Sequence, residues 1–294
     1  MQLCASCGVA GGDDIKLKNC DDCDLVRYCG VKCQREHRSK HKMECKKRAA
    51  ELKDELLFQQ PESTHDGDCP ICCLPVPIDP QKSTLTSCCS KMICVGCIYA
   101  NAMREIEERL LPKCPFCRKA WVSKDDEEIE INKQLMKRVE VNDPVAMYSM
   151  GTGKYKREDY KAAFGYLTKA AAMGNIDAHF QLSRMYDKGE GVEKDERKEM
   201  HHLEQAAIGG HPQARYNLAI IEERKNRRVD RAVKHYIIAA NLGCDDSLSS
   251  LKNAYKAGLM SKDDFAAALR GYQTAINTMK SPQREEATKF FKKP

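Results

Sequence analysis

Sixteen of the seventeen cysteines lie between Cys4 and Cys117, mostly in pairs separated by two or three residues. Thiolate sulfur is a preferred ligand of zinc, and each closely spaced pair can supply two of the four ligands of a tetrahedral structural site. Dense pairs of this kind favour zinc over disulfides in a reducing compartment, and we expect the chain to be cytoplasmic and/or nuclear. The sequence therefore predicts about four zinc ions per chain, all bound within its first 117 residues.

The first set of candidate ligands occupies residues 4–45. It consists of four pairs, Cys4 with Cys7, Cys20 with Cys23, Cys29 with Cys33, and His41 with Cys45. Partners with three residues between them lie on one face of a helical turn, so the polar stretch 30–45 is expected to form a short exposed helical pair. A segment of this size buries little apolar surface, and bound metal must therefore supply its stability.

This spacing closely resembles the MYND zinc finger, and the resemblance includes Arg27-Tyr28-Cys29 and Cys33-Gln34. It implies two interleaved sites, one formed by Cys4, Cys7, Cys29 and Cys33, the other by Cys20, Cys23, His41 and Cys45. It also implies a peptide ligand that contains proline. Arg38 stands at a position where the family often has tryptophan.

A second set of ligands occupies residues 69–117. Its pairs are Cys69 with Cys72, Cys88 with Cys89, Cys94 with Cys97, and Cys114 with Cys117. Ile98, Ala102 and Ile106 recur at helical spacing between the last two pairs. The sequence therefore predicts a zinc loop, a small hairpin, a helix and a second zinc loop.

The second set resembles a RING finger, in which alternating pairs bind two ions. The resemblance implies one site of Cys69, Cys72, Cys94 and Cys97 and another of Cys88, Cys89, Cys114 and Cys117. The adjacent pair Cys88–Cys89 departs from the usual spacing, and Cys73 is an alternative ligand. The simpler interpretation of Cys73 is a buried thiol, because free cysteine favours protein interiors.

Three further residues match positions by which RING fingers hold a ubiquitin-charged conjugating enzyme. Ile71 in the first zinc loop and Pro115 in the second match the apolar contacts, and Arg118 matches the cation that bonds ubiquitin and its carrier. A planar guanidinium suits that role because it can donate to two carbonyl groups at once. The resemblance thus implies catalysis by positioning, without a covalent intermediate.

Beyond residue 142 a helical repeat replaces the cysteine pairs. Alanine-rich segments end at Gly174, Gly209 and Gly243, which are 35 and 34 residues apart. Two helices in each such period indicate an α-solenoid, and the glycines are expected to supply left-handed turns at helix ends. The stretch from Tyr186 to Asp195 resembles the Sel-1-like branch of the tetratricopeptide superfamily, which implies a scaffold for protein partners.

Other patterns have simpler interpretations. Residues 151–154, Gly-Thr-Gly-Lys, lack the preceding strand and the spacing of a phosphate loop. His202 lies at a stacking position of the repeat, so we interpret it as a core histidine and not as a metal ligand. Cys244 is interpreted as a plain thiol.

The predicted fold is mainly α, with two small zinc-binding modules followed by a solenoid. The expected boundaries are a first finger at 1–48, a charged linker at 49–67, a second finger at 68–120, a linker or helix at 121–142, the solenoid at 143–280 and a polar tail at 281–294. The formal charge of +6 becomes −1 once fifteen thiolates bind four Zn²⁺. This argues against a general nucleic-acid partner. We expect neither export nor a membrane span.

The combined interpretation is a RING-type ubiquitin ligase whose first finger and solenoid recruit protein substrates. The alternative is a non-catalytic adaptor, with a role in transcriptional regulation as one form of it. Arg38 and the adjacent pair Cys88–Cys89 favour that alternative.

Overall fold

The computed structural model of the protein describes residues 2–121 and 127–291 and divides into two compact units, Met1–Gln59 and Gln60–Pro294. The described residues form twelve α-helices and four short strands. None of the helices in these two ranges is long and apolar enough to cross a membrane. The predicted fold class, mainly α with small cysteine-rich modules and a solenoid, is confirmed.

The first unit is a small cysteine-rich fold followed by a long helix. Its elements are β1 (Lys18–Asn19), β2 (Arg27–Tyr28) and α1 (Val31–Leu57). The two strands pair in antiparallel fashion, with Lys18 opposite Tyr28. Tyr28 is buried among cysteines, which form most of this small core. Metal binding must therefore replace the apolar contacts that hold larger domains together.

Helix α1 is one continuous helix, whereas the sequence predicts a short helical pair at 30–45 and then a charged, helical linker stretch that ends at Pro61. No glycine or proline occurs between residues 31 and 60, so nothing in the sequence interrupts the helix. The helix ends at Leu57, shortly before Pro61. The boundary between the two units follows at Gln59.

The second unit begins with a hairpin and a helix held between cysteines. Its elements are a 3₁₀ turn (Pro80–Lys82), β3 (Ser83–Thr86), β4 (Lys91–Cys94) and α2 (Val95–Glu107). The hairpin pairs Ser83 with Cys94 and Thr86 with Lys91. Val76 and Ile93 are fully buried beside the ligand cysteines and give this module a small apolar core.

The solenoid consists of antiparallel helix pairs in tandem. Its helices are α3 (Glu127–Glu140), α4 (Pro144–Lys156), α5 (Tyr160–Ala172), α6 (Ile176–Lys188), α7 (Glu196–Ile208), α8 (Pro212–Arg224), α9 (Val229–Asn241), α10 (Asp245–Lys256) and α11 (Lys262–Thr278). Fully buried alanines such as Ala170, Ala206 and Ala240 let neighbouring helices approach closely. Side-chain caps begin several helices, as where Ser261 accepts a hydrogen bond from the backbone of Asp264 at 3.0 Å.

One local expectation for the solenoid is wrong, and another interpretation holds. The left-handed turn in the middle repeat belongs to Gly210 (φ 84°), because Gly209 keeps a φ of −69°. Residues 151–154 lie inside α4, where Gly151 packs against Leu167, and they do not form a phosphate-binding loop.

Residues 282–291 form a helix where the sequence predicts a polar tail at 281–294, and residues 292–294 of that tail lie outside the described residues. Helix α12 (Pro282–Phe291) packs against α2 of the hairpin module. Helix α3 also reaches this module, since the hydroxyl of Ser87 donates to Gln134 at 3.0 Å and Arg138 donates to the hydroxyl of Ser90 at 2.6 Å. The hairpin module and the solenoid thus share a set of direct contacts within one unit.

Candidate metal centres

Two clusters of ligand atoms form in the first unit. One consists of Cys4, Cys7, Cys29 and Cys33, and the other of Cys20, Cys23, His41 and Cys45. In the first cluster, the sulfur of Cys29 is 3.6 Å from that of Cys7 and 3.5 Å from that of Cys33. In the second, Nε2 of His41 is 3.1 Å from the sulfur of Cys23. Helix α1 supplies ligands to both clusters, which explains their interleaving.

Two more clusters form in the second unit, with the membership that the sequence predicts. The third cluster consists of Cys69, Cys72, Cys94 and Cys97, and the fourth of Cys88, Cys89, Cys114 and Cys117. In the third cluster, sulfur atoms lie 3.8 Å apart between Cys72 and Cys94 and 3.9 Å apart between Cys69 and Cys97. The N-terminal turn of α2 and the end of β4 bring Cys94 and Cys97 to the first zinc loop.

These distances match tetrahedral zinc and exclude disulfides. Four sulfurs at about 2.3 Å from a central ion lie about 3.8 Å from one another, whereas a disulfide brings two sulfurs to about 2 Å. Every cysteine in the four clusters is a free thiol. Within each cluster all ligand atoms lie within 4.8 Å of one another. The four clusters fit the binding of about four zinc ions.

The adjacent cysteines 88 and 89 both reach the fourth cluster. They lie in the turn between β3 and β4, where successive side chains need not alternate as they do in a strand. The sulfur of Cys88 is 3.4 Å from that of Cys117, and the sulfur of Cys89 is 3.9 Å from that of Cys114. Ser90 absorbs the backbone reversal with a φ of 52°. The unusual spacing therefore still yields a four-sulfur cluster.

Hydrogen bonds lower the pKa of individual cysteine thiols in two of the clusters. The backbone N–H groups of Cys7 and Cys29 donate to Cys4 and lower the pKa of its thiol to about 6. The thiol of Cys94, followed by backbone N–H groups, lowers the pKa of Cys69 to about 4. Because zinc binds the thiolate, these donors favour the form that the metal requires.

The three residues matched to conjugating-enzyme contacts lie on the two zinc loops of the second unit. The side chain of Ile71 is 41% exposed although it is apolar, and Pro115 is half-buried. Arg118 is exposed and donates to the side-chain oxygen of Asn101 on α2 at 3.2 Å. Asn101 in turn donates to the carbonyl of Lys113 at 3.2 Å. The role of Asn101 could not be predicted from the sequence, because only the fold brings it to Arg118.

A fifth group of metal-type side chains joins the start of the second unit to the solenoid. Nε2 of His65 lies 2.9 Å from a carboxylate oxygen of Asp177, and Nε2 of His211 lies 3.7 Å from the same oxygen. The two imidazole rings are stacked, with centroids 4.4 Å apart. No sequence signal links residues separated by more than a hundred positions.

Hydrogen bonding explains this fifth group without a metal. Nδ1 of His211 accepts the N–H of Ala214 and caps α8, so a neutral His211 keeps its proton on Nε2, facing Asp177. A metal at Nε2 would require that proton on Nδ1, where the N–H of Ala214 already points. Burial lowers the pKa of His211 to about 3 and keeps it neutral. The group holds residues near His65 against α6 and α8.

Three other candidates from the sequence take no part in these clusters. Cys73 is exposed in the first zinc loop at a φ of 53°, so the expectation that it is buried is wrong. Cys244 is buried at the start of α10. His202 stacks on Tyr186, with centroids 5.6 Å apart, and shares a hydrogen bond with His179 at 3.0 Å.

Two family models match the chain. That of the MYND finger matches residues 4–45, and that of the Sel1 repeat matches residues 146–175, 176–211 and 212–244. No curated protein matches the chain.

Among solved structures, the chain is similar to a protective antigen of uropathogenic Escherichia coli strains with an SLR fold. Identity is 28% over 51% of this chain and 33% of that one, with a TM-score of 0.42. It is also similar to a Sel1 repeat protein from Oxalobacter formigenes, at 23% identity over 55% of this chain and 49% of that one, with a TM-score of 0.44. The chain thus spans half or less of the length of either protein.

The family matches agree with the clusters and the repeat described above. The chain contains a MYND zinc finger and Sel1 repeats, and these modules support a role as a protein-interaction adaptor.

Proposed function

We propose that this adaptor is also a RING-type ubiquitin ligase that positions a ubiquitin-charged conjugating enzyme on residues 69–118. The observation that carries the proposal is the hydrogen bond from Arg118 to Asn101, which fixes a guanidinium beside the second zinc loop. One N–H group bonds Asn101, and the guanidinium has further N–H groups that can donate to carbonyl groups of ubiquitin and of its carrier. A fixed donor of this kind suits catalysis by orientation.

The first zinc loop supplies the docking contact in this proposal. Ile71 projects an apolar side chain into solvent between two metal ligands, Cys69 and Cys72. Burying it against an apolar pocket of the conjugating enzyme would contribute about 1.5–3 kcal/mol. Pro115 extends the same kind of contact from the second loop.

Partner recruitment falls to the other modules. The MYND finger supplies a compact surface for a peptide that contains proline, and the Sel1 repeats supply an extended surface for folded or unstructured substrates. Because residues 60–294 form one unit, a substrate held by the solenoid would stay at a defined distance from the bound conjugating enzyme.

The test is release of ubiquitin from a panel of charged conjugating enzymes to free lysine. We expect the full chain to accelerate release, and Ile71→Ala and Arg118→Ala each to reduce that acceleration about tenfold or more. Leu269→Ala is the matched control, since Leu269 on α11 is apolar and 43% exposed. Each variant is checked for zinc content, so that loss of metal is distinguished from loss of contact.

No acceleration with any conjugating enzyme, at full zinc content, would overturn the ligase proposal. The chain would then remain an adaptor, in which both zinc modules and the solenoid serve only as binding surfaces.

A further inference from the structure

Arg284 in the C-terminal helix is a buried cation that reaches the first zinc loop of the second unit. It is 8% exposed. Its guanidinium donates to the carbonyls of Pro75 and Met279, each at 2.7 Å, and to the carbonyl of Leu74 at 3.2 Å. A further N–H lies 3.3 Å from the sulfur of Cys72, a ligand of the third cluster.

The charge of Arg284 has no carboxylate partner in the part of the chain that the structure describes. A buried charge is costly unless an opposite charge accompanies it. Four thiolates and one Zn²⁺ carry a net charge of −2, and Cys72 belongs to such a set. The metal-loaded cluster is therefore the counter-charge that this guanidinium needs. Loss of the metal returns protons to the other thiols of the cluster and so leaves less negative charge beside the guanidinium.

The other contacts of α12 also place the helix directly against α2. A Cβ on Gly96 would lie 2.8 Å from Cγ and 3.0 Å from Cα of Arg284, so only glycine at this place in α2 lets the helix approach. Farther along α12, the rings of Phe290 and Phe291 contact Tyr99, with centroid distances of 5.1 and 6.4 Å. Gly96 directly precedes Cys97, another ligand of the same cluster.

We propose that α12 is a zinc-dependent latch: metal in the cluster of Cys69, Cys72, Cys94 and Cys97 holds the helix on α2 through Arg284, and the docked helix slows release of that metal. The two effects are linked at equilibrium: zinc favours the docked helix by the same free energy by which the docked helix raises the zinc affinity of the cluster. The latch does not depend on ligase activity. Loss of this one zinc would free the C-terminal helix and expose Tyr99 and the surface of α2 beside it.

The test compares Arg284→Gln, which removes the charge, with Lys289→Gln, which removes an equal charge from the exposed face of the same helix. A zinc chelator is added to the full chain together with a thiol-alkylating reagent, and mass spectrometry follows the alkylation of each cysteine. We expect Cys69 and Cys72 to react about tenfold faster in Arg284→Gln than in wild type or Lys289→Gln, in line with other outer-shell partners of metal ligands. Cysteines 4–45 should react at unchanged rates.

Amide hydrogen exchange over residues 282–291 measures the other half of the linkage. In zinc-loaded protein, the helix should exchange slowly in wild type and in Lys289→Gln, and fast in Arg284→Gln. Phe290→Ala weakens the latch from its other contact and should speed both exchange and alkylation, which keeps the proposal testable if Arg284→Gln does not fold. Equal alkylation rates in all variants, or an α12 that stays protected after the third cluster has lost its metal, would overturn it.

Discussion

His202 is an ionisable side chain in the stacking layer of the solenoid. Its ring lies on Tyr186 and its Nδ1 is 3.0 Å from Nδ1 of His179. Burial, followed by the nearby His179, His201 and Lys198, lowers the pKa of His202 to about 4. One ring donates to the other in this pair, so the accepting ring cannot take up a second proton on Nδ1 without breaking their hydrogen bond.

We predict that the solenoid loses stability as the pH falls from 7 to 5, and that His202→Leu reduces the loss. The folded pKa of His202 is depressed, so below about 6.5 the unfolded chain binds a proton that the folded chain refuses, and stability falls with pH. Full linkage gives about 1.4 kcal/mol per pH unit, and solvent around a half-buried pair reduces this to about 0.5 kcal/mol. Leucine suits the site because Leu167 occupies the equivalent position of the preceding repeat.

Urea melts followed by circular dichroism at both pH values measure this effect. His201→Gln is the comparison variant. It should change the pH dependence less than His202→Leu does, because burial lowers the pKa of His202 more than the charge of His201 does. An identical loss of stability in His202→Leu and wild type would contradict the assignment.

Residue spacing predicted where metal ligands gather, because zinc needs four donors and the chain supplies them in short pairs. Membership of the fourth cluster could be predicted only through a family resemblance, since Cys88 and Cys89 are adjacent and would point apart in a strand. Contacts of Arg284 with Cys72, and of His65 with Asp177, could not be predicted. They join residues more than a hundred positions apart, and no local pattern encodes such a pairing.

Three glycines of the solenoid differ in backbone conformation and in the space around them. Gly191 has a φ of 75°, and a Cβ there would lie 2.6 Å from the carbonyl oxygen of Tyr160. Gly174 has a similar φ of 83°, but a Cβ on it would meet no atom within 4 Å. Gly165 lies inside α5 with open space around it. Substitution of Gly191 would thus combine backbone strain with a steric clash, substitution of Gly174 would cause strain alone, and substitution of Gly165 would change helix propensity alone.

Alanine at these positions should therefore change stability in three graded ways. Gly191→Ala combines strain with a clash against backbone and should cost about 3 kcal/mol. Gly174→Ala adds strain alone and should cost about 1 kcal/mol. Gly165→Ala should raise stability by about 0.5–1 kcal/mol, because alanine favours a helix over glycine. Chemical denaturation of each variant measures the order, and a Gly174→Ala loss equal to that of Gly191→Ala would contradict the clash.

At the scale of elements, periodicity predicted the solenoid helices well because small and apolar residues recur on their buried faces. Periodicity failed for residues 281–294, for which the sequence predicts a polar tail. Helix α12 has few apolar residues, and its place is fixed by the buried Arg284 and Ala287 and by two terminal aromatic side chains. A helix with so few apolar residues leaves almost no signal in a hydrophobic pattern.

At the scale of the whole molecule, metal and helical packing stabilise different parts of the chain. Residues 4–45 and 69–117 have small cores rich in cysteine, whereas α4 to α11 bury alanine, leucine and aromatic side chains and supply no ligand to the four cysteine clusters. The hydrogen bonds of Ser87 with Gln134 and of Ser90 with Arg138 connect the two kinds of structure. They tie α3 to a turn whose own shape depends on the fourth cluster.

Removal of zinc should therefore unfold the cysteine-rich parts, loosen α3 and α12, and leave α4 to α11 folded. Structural zinc supplies on the order of 10 kcal/mol to a small module, so neither finger can retain its fold without it. The central solenoid helices stack on their own neighbours and should keep their amide protection. Hydrogen exchange of the full chain, before and after addition of a tight chelator, measures the amide protection of each segment separately.

Metal analysis before chelation should give four zinc ions per chain, and three for Cys89→Ser if the fourth cluster binds zinc as its geometry indicates. Loss of protection in α5 to α9 together with the fingers would mean that residues 60–294 fold as one cooperative unit, with the zinc loops essential to all of it.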